Sequence, residues 1–419
     1  MILTACAAPP KLGIEIRGNK FYRNNKPYRA CGINHFSLVW NTGTDMLVGG
    51  RRDGSTDIAD IKSFGIPFIR TAVGGFDRPS WQWLFNNREL FFTTYLDPIV
   101  AKCEAAGVGL IPVLVWDTKS FCDLSYYRYG THEGPAKLAD PNSNVRAMMM
   151  DWISAVVSRY RSSPAILAWS AFNECSDKTG PEYYKFWAPD GSLFSWLDWG
   201  TKPGGGTYSS SDFLSFNGWV SFSFAVRDAI RKADGYGRFV SAGSALGPSY
   251  AVTAQTTNSY AADTKAQWDN AIDGMPWVVA RDQAFGCVVS HIYPQDVVNG
   301  TIFYGDVKLT NAGLIQAHKQ WADSRGVPFF LEEFGASMYG DTAVDHSSRD
   351  PASELANITA AINAIESNDV MLSAIWNYDG RFDAQAIAWQ VFALNPAATA
   401  RRYQMEMVAA LNQRLAAKP

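Results

Sequence analysis

The chain has 419 residues, 47% hydrophobic and 18% charged, which supplies a large core and excludes the composition of a disordered polypeptide. Lys and Arg number 37 against 40 Asp and Glu, so no basic field is available to hold a phosphate backbone, and nucleic acid is excluded as a partner class. No apolar run reaches the roughly 18 residues of a membrane-spanning helix. The surplus lies in the aromatics: 15 Trp, 18 Tyr and 24 Phe make up 14% of the chain. Most of these rings belong in a core, but flat indole faces outside it suit the apolar faces of sugar rings.

Residues 1–12 read as a tail and residues 13–419 as a single domain, with no linker between periodic segments. The opening Met1-Ile-Leu-Thr-Ala-Cys6 resembles the end of a bacterial lipoprotein signal, without the basic region and longer apolar stretch of a full one. On this reading the protein is exported, periplasmic or at the cell surface, and attached to a membrane only through a lipidated Cys6. The other reading is an ordinary N-terminus with an incidental cysteine. The six cysteines are scattered, with no C-x-x-C and no Cys/His cluster, which argues against structural zinc and names no disulfide pair.

From Ile14 to Tyr28, two alternating segments around Gly18 and Asn24-Asn25 predict a β-hairpin. Eight short apolar runs follow: Tyr28–Asn34, Pro67–Thr71, Gly109–Trp116, Ala165–Asn173, Arg238–Ala242, Cys287–Tyr293, Pro328–Glu333 and Met371–Trp376. Between them, segments of helical period cover Thr56–Phe64, Thr93–Ala106, Asn144–Tyr160, Phe216–Ala233, Asn311–Arg325, Pro351–Ser367 and Thr399–Ala416, with a weaker one between Tyr260 and Arg281. In Asn144–Tyr160 the residues Val145, Met148, Met149, Trp152, Val156 and Tyr160 form one apolar stripe. Strands apolar throughout, each followed by an amphipathic helix, predict a parallel sheet covered on its outside. Eight such units predict a closed (β/α)8 TIM barrel. Two stretches stand outside the repeat, Trp187–Asp212 and Gly247–Met275, and are expected as long loops at the C-terminal face.

Polar residues at the C-terminal ends of barrel strands are the first catalytic candidates, because the strands are otherwise filled with branched apolar side chains. Those ends carry Arg70 after Phe68-Ile, Asn173-Glu174, His291-Ile-Tyr293, Glu332-Glu333-Phe-Gly335 and Trp376-Asn377. This ordered set resembles glycoside hydrolase family 5, within the clan of (β/α)8 retaining β-glycosidases, over nearly the whole chain. The resemblance implies Glu174 as acid/base and Glu333 as nucleophile, with Arg70, Asn173, His291, Tyr293 and Trp376 around the sugar at the cleavage point. Two carboxyl groups of a retaining enzyme stand about 5 to 5.5 Å apart across the scissile bond. Arg70 and Tyr293 are expected to lower the pKa of the nucleophile. Neighbours on a strand point to opposite sides, so only one of Glu332 and Glu333 is expected to face the lumen.

The third strand departs from the family pattern, ending in Trp116-Asp117 where many members carry His or Asn. Trp116 and His35 are the candidates to contact sugar there, and Asp117 reads better as a helix cap. The expected substrate is a β-linked plant-type polysaccharide or oligosaccharide, β-1,4-mannan or β-glucan. An exo-acting β-glycosidase of the same clan and a non-catalytic carbohydrate-binding lipoprotein are the alternatives. No cofactor is expected, and no metal: the chain has five His, none paired at i, i+4.

Overall fold

The computed structural model describes residues 12–39, 54–75, 78–175, 202–206, 212, 214–245, 281–293, 310–336, 350–378 and 402–418. It opens with a small antiparallel sheet of three strands, β1 (Glu15–Arg17), β2 (Lys20–Arg23) and β3 (Lys26–Pro27). The expected hairpin is therefore two successive hairpins. The second turns at Asn24 and Asn25, both left-handed at φ 53° and 63°, a conformation Asn tolerates. This sheet closes the floor of the barrel: Ile14 N–H donates to Leu167 O at 2.7 Å and Ile14 O accepts from Phe239 N–H at 2.8 Å. The buried Phe21 ring meets Phe239 at 5.0 Å.

Eight strands then form one parallel sheet: β4 (Ala30–Asn34), β5 (Phe68–Ala72), β6 (Gly109–Val115), β7 (Trp169–Phe172), β8 (Val240–Ser241), β9 (Val288–Ile292), β10 (Phe329–Phe334) and β11 (Leu372–Ile375). Their order is β8-β7-β6-β5-β4-β11-β10-β9, and β4 pairs with both β5 and β11, so the first strand joins the last. The result is a nearly closed (β/α)8 barrel. Each of the eight apolar runs carries one strand, and every residue of the eight strands is buried. Such strands survive only with a lumen filled on one side and helices covering the other.

Helices occupy Asn144–Tyr160 and Pro351–Ser367 over the spans the periodicity predicts, and Ser55–Ser63, Asp97–Ala106, Phe216–Asp234, Asn311–Ser324 and Tyr403–Ala416 within a few residues of them. Polar side chains fix several starts. Ser143, Ser215 and Thr310 accept from the backbone N–H three residues on, as does Asp350, satisfying donors that the helix itself leaves open. Asp117 caps Thr118–Tyr129 by accepting from Lys119 N–H at 3.0 Å, the role its sequence position suggested. That helix, whose apolar period is weak, and Arg78–Asn86 are additions to the expected set. Trp152, on the stripe of Asn144–Tyr160, packs against Trp81, Phe85, Phe91 and Phe92 and donates to Leu114 O at 3.1 Å. Residues 1–11 of the tail, most of the two long loops and the helix expected before Arg281 lie outside the described residues. Among the described residues, the five cysteines are buried and none is in a disulfide.

One glycine decides how the site is presented. Gly243, just past β8, has φ +65°, and a Cβ there would stand 1.6 Å from Phe172 O at the end of β7. Its carbonyl accepts from Glu174 N–H at 2.5 Å, while Glu174 itself takes the left-handed φ of 55°. The two strand ends thus approach more closely than any side chain at position 243 would permit. Gly243→Ala is expected to cost about 2 kcal/mol or more, from the disfavoured φ together with overpacking. The urea midpoint at constant m-value measures this, and an unchanged midpoint would mean that β7 and β8 are not held together here.

Candidate active site

The centre of the barrel mouth is organised by Arg70, the third residue of β5, whose side chain has no exposed surface. One guanidinium nitrogen, Nη1, donates to Glu333 Oε1 at 2.7 Å and Asn34 Oδ1 at 3.0 Å; the other, Nη2, donates to Asn173 Oδ1 at 3.0 Å. Asn34, the last residue of β4, also donates from Nδ2 to Glu332 O at 2.9 Å. It ties the first strand to β10 while aiming Arg70. The rule that finds Arg70, a polar residue ending an apolar run, applies equally to Asn34, which the sequence reading left out.

Glu333 accepts on its second oxygen from Tyr293 Oη at 2.5 Å. His291 Nδ1 bonds Glu174 Oε1 at 2.8 Å and lies 3.4 Å from Glu333 Oε2. Glu174, His291 and Glu333 bring their oxygen and nitrogen atoms within 4.8 Å of one another. One carboxyl oxygen of Glu174 and one of Glu333 therefore lie within 4.8 Å of each other, with the His291 ring beside both. The Glu174 side chain is 25% exposed against 4% for Glu333, so one carboxyl is open to an arriving molecule and the other is deep. The cluster is also compact enough for a metal ion to span. The Arg70 guanidinium and the His291 ring already supply positive charge at these oxygens, and the chemistry of the set is that of an acid–base site.

Two expectations about the carboxylates of β10 need correction. Glu332 and Glu333 do not divide between lumen and outside. Register against β9 runs Leu331 to Ser290 and then Glu333 to His291, so two residues of β10 oppose one of β9. This bulge turns both carboxylates inward. Glu332, without exposed surface, lies 3.3 Å from Arg70 Nη2 and 3.6 Å from His291 Nε2, and accepts from Ser170 Oγ at 3.3 Å and from Ser241 Oγ. Strict alternation concealed it, although the Glu-Glu doublet was a visible signal.

The second correction concerns Glu333, whose pKa is raised. Burial dominates, and the charge of Glu174 adds to it, over the lowering effects of His291, Arg70 and Tyr293. Glu332 moves the other way: burial favours its neutral form, but Arg70, His291 and Ser241 together outweigh that and hold it below the usual range. His291 is disfavoured as a cation by burial, yet Glu333, Glu174 and Glu332 outweigh this and raise it to about 9. The three carboxyl groups and His291 are therefore coupled, and each is shifted by the charge of the others.

The remaining candidates divide. Trp116 past β6 and Trp376 past β11 are partly exposed. Both lie nearly parallel to Phe36, at centroid distances of 5.6 and 5.4 Å and interplanar angles of 24° and 19°, giving a flat apolar wall at the mouth. The Trp376 N–H donates to Phe334 O at 2.7 Å, which fixes that ring's backbone beside Glu333. Phe36 was not singled out in the sequence. His35, expected to contact sugar, has no exposed surface; its Nε2 bonds Asp57 Oδ2 at 3.0 Å and its ring packs on Tyr378 at 5.0 Å. It is a core histidine beneath the loop after β4, held through Nε2.

Comparison with known proteins gives these features a lineage. The model of the cellulase family, glycosyl hydrolase family 5, matches residues 24–380. Mannan endo-1,4-beta-mannosidase F of Aspergillus fumigatus is 34% identical over 107 residues, 25% of this chain and 24% of that protein. Mannan endo-1,4-beta-mannosidase A of Podospora anserina is 29% identical over 176 residues, 38% of this chain and 44% of that protein. The alignments thus span less than half the length of these relatives. The crystal structure of the endo-1,4-beta-mannanase from Rhizomucor miehei shares the fold with a TM-score of 0.64 at 16% identity, over 97% of this chain and all of that one. With its family match running over residues 24–380, most of its length, this chain belongs to glycosyl hydrolase family 5.

Proposed function

We propose that the protein is a retaining glycoside hydrolase that cleaves β-1,4-linked mannan by double displacement. The observation that carries this reading is that a carboxyl oxygen of Glu174 and one of Glu333 lie within 4.8 Å of each other at the barrel mouth, which suits a pair of carboxyl groups about 5 to 5.5 Å apart, one attacking the anomeric carbon while the other protonates the departing oxygen. Glu333, held by Arg70 and Tyr293, forms the glycosyl ester. Glu174, the more exposed of the two, gives its proton to the leaving oxygen and then takes one from the attacking water. Loss of charge on Glu333 in the ester weakens the hold on that proton, which suits the change of role. Asn173, oriented by Arg70, donates to the hydroxyl beside the anomeric carbon, and the wall of Trp116, Phe36 and Trp376 stacks against the apolar faces of the sugar units.

Mannan is favoured because relatives aligned in sequence are named mannosidases, and a structural neighbour is a mannanase. β-1,4-Glucan is the second reading, favoured by the family model being that of cellulases. Product analysis on mannan, glucan and xylan decides between them: manno-oligosaccharides from mannan are expected, and release from glucan alone selects the second reading.

Glu174→Ala should reduce hydrolysis of polysaccharide by 10²-fold or more while sparing activated aryl glycosides, because only a poor leaving group needs a proton in the transition state. Equal losses on both would remove Glu174 from the acid role. Glu333→Ala should abolish both.

A polymeric substrate does not cross a membrane, so this activity calls for an exported enzyme, with Cys6 as its lipid anchor. The mass of the native protein checks this; Cys6 unmodified, with the preceding residues retained, rejects the anchor.

A further inference from the structure

The third carboxylate of the cluster has no place in double displacement, yet it is among the most deeply held groups in the barrel. Glu332 is bracketed from four strands. Ser170 of β7 and Ser241 of β8 donate to Oε1, Arg70 of β5 lies 3.3 Å from Oε2, and His291 Nε2 of β9 lies 3.6 Å from that same oxygen. The imidazole thus has carboxylates at both ends: Glu332 beside Nε2, and Glu174 and Glu333 beside Nδ1. A carboxylate beside one ring nitrogen stabilises a proton there and makes the other nitrogen the more basic.

We propose that Glu332 is a positioning residue of the reaction, keeping a proton on His291 Nε2 so that Nδ1 is the atom that shares a proton with Glu174. The inference rests on the hydrolase reading above and extends it to how the acid is supplied. When the shared proton moves from Nδ1 to Glu174 Oε1, an N–H bond breaks, an O–H bond forms and the ring returns to its neutral Nε2–H form. Glu174 then carries the proton that the leaving oxygen needs. In the second half, the proton taken from water by Glu174 can pass back to Nδ1. The raised pKa of His291 agrees with this arrangement.

Among the described residues, the charged groups facing His291 are Glu332 and Glu333 of β10 and Glu174 after β7, with Arg70 of β5 behind the β10 pair. Arg281 and Asp282 pair with each other and bond the Val289 backbone, and His318 on the adjoining helix bonds Leu314 O. These three are not partners of the His291 ring.

The test is Glu332→Gln, which keeps size and the serine contacts but removes the charge. Taking away a negative neighbour weakens the hold on the shared proton. Its pKa therefore falls, and the alkaline limb of kcat/KM moves to lower pH by roughly one unit or more. Glu332→Asp, which restores the charge, should move the limb back. A role confined to bracing Arg70 would lower the rate without moving the limb. In wild-type protein, nitrogen-15 NMR of the histidines should show His291 with Nε2 protonated on both sides of its titration. An alkaline limb that stays in place in Glu332→Gln overturns the proposal, and so does an Nδ1–H tautomer in the wild type. The tautomer decides the matter even where Glu332→Gln does not fold. It also separates this inference from the hydrolase reading, because it is read without substrate and stands even if no glycan is cleaved.

Discussion

A fully buried guanidinium joins the strands at the barrel mouth. Arg70 reaches Asn34 at the end of β4, Asn173 past β7 and both Glu332 and Glu333 on β10. Burying two carboxylates in the lumen would be prohibitive without a cation between them, since each unpaired charge taken out of water costs several kcal/mol. Arg suits this place better than Lys because its planar fork offers donors in several fixed directions at once, and it remains charged under any condition in which the protein folds. The contact that makes the site affordable to bury is thus the same one that sets the distances between its parts.

That coupling has a consequence for charge. With Arg70 permanently positive, the protonation of the rest is shared among His291 and three carboxyl groups, none of which titrates alone. Glu332 falls, Glu333 rises and His291 rises, and the shifts follow from how each group is placed between the others. Double displacement needs one acid proton and one ionised nucleophile. Coupling of this kind lets one member of the cluster hold a proton while another stays ionised.

The barrel was legible because its eight strands are buried on both faces and its helices on one, so the alternation of continuous apolar runs with amphipathic segments maps directly onto the fold. The clustering of Glu174 and Glu333 at the barrel mouth was legible for a related reason: a charged residue at the end of an apolar strand has little purpose in packing. What escaped were departures from ideal periods. The bulge in β10 adds a residue to one strand, and no alternation rule anticipates that. Gly243 looked like any loop glycine, because its significance is the nearness of Phe172 O, a contact between two strand ends far apart in the sequence. His35 was misread since a histidine following a strand carries the same letter whether a loop folds over it or leaves it open; its partner Asp57 sits on the next helix, and only the fold brings them together.

The tryptophans show how position along a βα unit settles what composition leaves open. Trp81, Trp152 and Trp219, on helices, are buried against other rings. Trp169, within β7, is also buried, its indole N–H spent on Asp234 at 2.9 Å. Trp116 and Trp376 come just past a strand's C-terminal end, and these two keep exposed surface and stand in a common wall with Phe36. The distinction is geometric. Inside the layers an indole fills volume, whereas at the rim there is no further layer to fill, and a large flat apolar face left there stabilises little unless something flat arrives to cover it. A rim indole is thus costly for folding alone and useful for holding a sugar ring.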